Sequence, residues 1–157
     1  MKQKHILALG AALAAGIFVT SASGGGHSDA SAAAIKARQA QMSLIAFNMG
    51  VLGGMAKGEV EFDQARATGA AKSLAHVAKL DPSLLWVEGT IQGEVPGTRA
   101  KAEIWSDAAG FAKAGQALAD AADGLAASSG LDGLRAAMGA AGDACSTCHK
   151  SYRGPKN

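Results

Sequence analysis

The chain has 157 residues, enough for one domain with a real core and too few for two ordinary ones. Apolar residues make up 48% of it but aromatics only 4%, so bulk in the core must come from Leu, Ile, Met or something that is not peptide. Fifteen Lys and Arg stand against 13 Asp and Glu, too even a balance for the cationic stripe that phosphate counterion release requires, so no nucleic-acid partner is expected.

Met1 to about Ala22 has the pattern of an export signal: basic Lys2 and Lys4, an apolar stretch from Ile6 to Val19, and the small-residue exit Thr20-Ser21-Ala22. Its removal takes two basic residues and leaves 13 against 13, a mature chain near neutrality. No other run is long enough to cross a bilayer, so the mature chain is expected in the periplasm without a membrane span. Residues 23–34, with Gly24-Gly25-Gly26, have the composition of a flexible leader. The folded domain is expected over 35–154.

Four helical stretches follow, with no strand alternation and no Asn-Gly hairpin turn to compete with them. The first runs from about Ala32 to Lys57, with Ile35, Met42, Ile45, Met49, Leu52 and Ala56 on one stripe that also carries Arg38. The second spans about Asp63 to Leu80, capped by Asp63, facing inward with Leu74 and Val77, and stopped by Asp81-Pro82. A Gly- and Pro-containing crossover covers about Ser83 to Arg99. The third helix is expected to be continuous from about Lys101 to Ala127, with Ile104, Ala108, Phe111, Gly115, Leu118, Ala122 and Leu125 in four-three alternation. The fourth, from about Leu131 to Tyr152, sets Leu134, Met138, Ala141, Cys145, His149 and Tyr152 along one face. The predicted fold is all-α, an antiparallel four-helix bundle opened on one side for a planar ligand.

Cys145-Ser146-Thr147-Cys148-His149 is a C-x-x-C-H sequence, the pattern of c-type haem attachment. On a helix its two sulfurs sit about one turn apart, matching the two porphyrin vinyl groups, and His149 follows as an axial iron ligand. A redox dithiol normally opens a helix after a strand, whereas this motif ends a helix in a chain without strands. Zinc needs a fourth ligand, and His5, His27 and His76 are badly placed to supply one. His76 reads better as a surface histidine than as a second axial ligand. Arg38, a charge on an apolar stripe, asks for an anion such as a haem propionate, and Gln39 beside it can donate to the same group.

With Ala37-Arg38-Gln39 and Met42 in the first helix, Gly89-Thr90 in the crossover, Glu103-Ile104-Trp105 in the third helix and Cys145 to His149 with Tyr152-Arg153 in the fourth, the chain resembles the class II c-type cytochromes, the cytochromes c' and their low-spin relatives. The resemblance covers about Ile35 to Arg153. It implies one covalently attached haem c, Arg38 and Gln39 at the haem edge, and Met42 at the position that holds the axial thioether in the low-spin branch. The first expectation is therefore a periplasmic one-electron carrier with His149/Met42 ligation, serving redox partner proteins. The alternative is a high-spin, five-coordinate protein that binds nitric oxide or carbon monoxide. An enzyme has least support, because no His, Asp or Glu cluster lies on the inferred distal stripe. Homodimer formation through the first two helices is left open.

Overall fold

A computed structural model describes residues 25–156. The expected export signal, 1–22, lies outside the described residues. The described residues form five helices: α1 Gly25–Lys57, α2 Gln64–Ala78, α3 Glu103–Ser106, α4 Ala108–Ala127 and α5 Gly130–Tyr152. None is long and apolar enough to cross a membrane. No β-strand occurs among the described residues, which hold only isolated bridges.

Around the bundle the order is α1, α2, α4, α5. Small side chains let α2 and α4 approach closely: Ala67, Ala70, Ala71 and Ala75 from one and Ala119 and Ala122 from the other are buried. Leu52, Met55, Leu74, Leu125 and Leu134 complete the main core. The α1–α5 seam is the slightest of the four, so the bundle is slack between those two helices. At one end of the bundle, Arg135 Nε donates to the Ala56 carbonyl at 2.8 Å and the Gly130 amide donates to Gln64 Oε1 at 2.7 Å. The other end is stitched by the crossover.

Two sequence expectations change. First, α1 begins at Gly25 rather than near Ala32, so most of the stretch expected as a flexible leader is helical. Ala30, Ala32 and Ala33 are exposed, and alanine's helix propensity supports α1 ahead of the buried Ala34. Second, the expected third helix is two helices, because Asp107 leaves helical geometry at φ −124°, ψ 56°. Its amide closes α3 on the Glu103 carbonyl at 2.9 Å, while its Oδ1 accepts from the Gly110 amide at 3.0 Å and so caps α4. The expected seam shifts accordingly: Ala108 and Gly115 are exposed and Ala119 is buried in their place. As expected, Asp63 caps α2, its carboxylate accepting from the Arg66 amide at 2.7 Å.

Candidate functional site

The C-x-x-C-H residues occupy the last two turns of α5, beside the slack seam with α1. Cys145 and Cys148 are not joined in a disulfide, and both are half-buried. Burial pushes each thiol up from its ordinary value; Cys148 is raised further by Cys145 and pulled back by Arg153. A redox dithiol works the other way, with a thiolate stabilised at a helix N-terminus. Here the thiols sit at a helix C-terminus, where the dipole disfavours anions. His149 is half-buried, and burial, then Arg153 and Arg99, lower its imidazole from the ordinary value. That favours the neutral ring, the form that donates a lone pair to a metal.

Four of the seven aromatic residues in the sequence meet here. Both tryptophans, the single tyrosine and Phe111 form a second cluster around Ala100, Ile104 and Cys148. Phe111 meets Trp86 edge-on with centroids 4.9 Å apart and Tyr152 edge-on at 5.2 Å. Trp105 Nε1 donates to the Trp86 carbonyl at 3.1 Å, tying α3 to the crossover.

Arg38 stands across the seam on α1, only 4% exposed. One terminal nitrogen of its guanidinium donates to Thr90 Oγ1 at 2.7 Å and to the Leu85 carbonyl at 3.3 Å. The other donates to Thr98 Oγ1 at 2.6 Å and to the Thr90 carbonyl at 3.0 Å. Its carbon lies 4.9 Å from the Trp86 ring centroid, within cation–π range. Both hydroxyls come from Gly-Thr pairs: Gly89 and Gly97 turn the chain at φ 72° and 81°, a region open mainly to glycine, and each delivers the following threonine inward. The sequence pointed to an anion for Arg38. The structure instead surrounds the guanidinium with neutral oxygens, and burial lowers its pKa from the ordinary value. Gln39 is likewise tied to the crossover, its Nε2 donating to the Gly97 carbonyl at 2.6 Å.

Met42, one turn beyond Arg38, is half-buried and packs against the main core. His76 is exposed on α2. The sequence reading passed over Thr98, Trp86 and Asp107. The recurrence of Gly-Thr in the crossover was the available signal for Thr98. The C-terminal tail is clasped by the crossover: the Gly154 amide donates to the Arg99 carbonyl at 2.8 Å, Arg99 Nε returns a bond to the Gly154 carbonyl at 2.8 Å, and the Lys101 amide donates to the Tyr152 carbonyl at 3.1 Å.

This set fits a haem c on three independent grounds. Two cysteines outside any disulfide lie one turn apart on a helix bordering the slack seam. Both tryptophans, Phe111 and Tyr152 belong to the same packed cluster as Cys148. Arg38, a buried cation with no carboxylate in ion-pair reach among the described residues, lies over the Trp86 face of that cluster while its terminal nitrogens bind crossover oxygens.

Comparison with known proteins points the same way. The family described as Cytochrome C' matches residues 33–153. Cytochrome c' of Cereibacter sphaeroides is 42% identical over 121 residues, 76% of this chain and 81% of that protein. Cytochrome c-554 of the same organism is 36% identical over 121 residues, 76% of this chain and 79% of its own length. Among solved structures, the nitric oxide complex of a mutant cytochrome c prime from Alcaligenes xylosoxidans superposes with a TM-score of 0.71 at 35% identity, over 80% of this chain and 97% of that one. With the motif, the bundle and these relatives in agreement, the chain belongs to the cytochrome c' family and is a monohaem cytochrome whose cofactor is one covalently attached haem c.

Proposed function

We propose that this protein is exported to the periplasm, that Cys145 and Cys148 hold the haem and His149 is its axial ligand, and that the opposite iron position stays open to nitric oxide or carbon monoxide. Similarity to a cytochrome c' at 42% identity, higher than to the c-554 relative, is the observation that carries the open-position reading and ranks it above the closed ligand set the sequence suggested first. The neighbour solved with nitric oxide supports the choice of ligand. Bound here, the haem supplies an iron that changes oxidation state by one electron and takes a diatomic gas.

The protein's own residues do the rest. The Cys145 and Cys148 side chains fix the cofactor to α5, and burial of the His149 ring favours its neutral form. Arg38 and Gln39 hold the crossover against α1, and contact of Arg38 with a propionate would require it to release one of its bonds to the crossover. Met42 packs into the core as an apolar side chain. An absorption spectrum of the oxidised protein, followed by titration of the reduced protein with carbon monoxide, tests the reading. A high-spin spectrum and rapid stoichiometric binding are expected.

A second reading, a low-spin electron carrier with His149/Met42 ligation, is favoured by the placement of Met42 one turn from Arg38 and by the c-554 relative. In it the partners are periplasmic redox proteins. Leu44 and Phe47 are exposed on α1, and Phe47 shares a shallow surface groove with Val60. A homodimer through α1 and α2 would use that face, and sedimentation analysis tests it.

A further inference from the structure

The break between α3 and α4 has a neighbour that capping alone does not account for. Asp107 uses Oδ1 to cap α4, and its second oxygen, Oδ2, accepts a hydrogen bond from Tyr152 Oη at 2.7 Å. Tyr152 is buried, lies one turn after His149 on α5, and belongs to the cluster against which Cys148 packs. The space for this contact depends on Gly110: a Cβ there would overlap Asp107 Oδ2 and lie 2.5 Å from Tyr152 Oη. A side chain at that position would therefore displace the carboxylate or the phenol from this contact, although the φ of Gly110 is ordinary. An unbroken helix through 107 would keep Asp107 in helical geometry instead of the φ −124°, ψ 56° turn that carries its carboxylate to the phenol.

We propose that Asp107 and Tyr152 form a positioning pair for His149, in which the carboxylate at the head of α4 fixes the final turn of α5 and with it the plane of the imidazole. The proposal rests on His149 being the axial ligand. Groups that orient a metal-bound histidine tune the metal without touching it. The proposed link runs through the backbone of one helical turn, in which the His149 carbonyl accepts the Arg153 amide at 3.1 Å and the Tyr152 carbonyl accepts the Lys101 amide at 3.1 Å.

The test uses the complete haem-loaded protein. Tyr152→Phe removes only the hydroxyl and keeps the ring packing. Asp107→Ser keeps a side chain able to cap α4 but is too short to reach the phenol. Paramagnetic proton NMR of the oxidised protein reads the haem-methyl shift pattern, which depends on the axial imidazole plane in either spin state, and thermal melting is recorded beside it. The expected result is the same displacement of the methyl pattern in both variants, with no further displacement in the double variant and haem still covalently bound. A methyl pattern unchanged in both, whatever happens to the melting temperature, overturns the proposal and leaves a merely structural pair. A wild type whose haem remains bound with the same methyl pattern after His149→Ala overturns the ligand assignment instead, and the positioning role with it.

Discussion

Replacing Arg38 by Leu tests how the site end of the bundle is held together. Four hydrogen bonds from a charged donor, at about 1.5–3 kcal/mol each, would sum to roughly 6–12 kcal/mol if they were independent. The surroundings reduce that figure. Thr90 Oγ1 still donates to the Val87 carbonyl at 2.6 Å, and Thr98 Oγ1 still accepts from the Ala100 amide at 3.1 Å and donates to the Thr90 carbonyl at 3.2 Å. Only the Leu85 carbonyl loses its partner, at about 1–3 kcal/mol. Loss of the contact with Trp86 adds about 0.5–2 kcal/mol, and release of a buried guanidinium from its desolvation cost offsets part of the sum. The net expectation is a loss of about 2–4 kcal/mol, or roughly 8–16 °C in melting temperature for a domain of this size. Differential scanning calorimetry measures it, and hydrogen exchange should show the Gln92 and Ala100 amides of the crossover losing protection first, while Leu74 in α2 keeps its own. A variant melting within about 2 °C of the wild type, with crossover protection intact, would mean that the guanidinium carries no part of the clasp.

Three further outcomes are expected. Cys145→Ala or Cys148→Ala should leave haem on a single thioether at most, and the double variant should show no covalent haem by mass spectrometry; one haem retained through acid extraction in the double variant would refute the attachment. Met42→Leu, a swap close in volume that costs under about 1.5 kcal/mol, should leave the oxidised spectrum unchanged; a low-spin wild type turning high-spin in the variant would shift the assignment to His149/Met42. Hydrogen bonding to Asp107 pushes the Tyr152 phenol up to about 12 from an ordinary 10.0. A raised pKa means that the fold favours the protonated phenol, so this contribution is complete below pH 10.0 and is lost as pH rises through about 12. Denaturant titrations should show the wild type losing more stability than Tyr152→Phe across that window, and parallel curves would contradict the bond.

The parts of the fold written as periodic patterns were legible. Leu52, Leu74 and Leu134 lie at the expected inward positions, and the Asp63 cap is where a short polar residue ahead of an Ala-rich run should stand. The break at Asp107 was hidden because the apolar spacing from Ile104 to Phe111 fits a continuous helix, and periodicity is blind to a single residue that leaves helical φ and ψ while its neighbours stay in phase. Ser106-Asp107 before Ala-Ala-Gly was the available clue, since Asp at a cap outcompetes the helix for backbone donors. The site motif could be read outright because its chemistry is contained in five consecutive residues. Arg38 was only half legible. Its burial followed from the stripe, but its partners lie in a segment without periodicity, and the oxygens that receive it depend on where two left-handed glycines turn the chain.

The crossover touches α1 through Arg38 and Gln39 and the C-terminal tail through Arg99 and Lys101, spanning separations of 52 residues to Thr90 and 55 to Gly154. The far end of the bundle is closed mainly by turns of a few residues. Long loops have to be closed before such contacts can form, so the two ends differ in when they assemble. The hairpins α1–α2 and α4–α5 can form early and locally, leaving the cysteine-bearing end of α5 accessible until the crossover settles over it. The same strap sets the order of disassembly: its release frees both flanks of the site together, so the end that holds the cofactor opens as one cooperative unit while the alanine-packed interior persists.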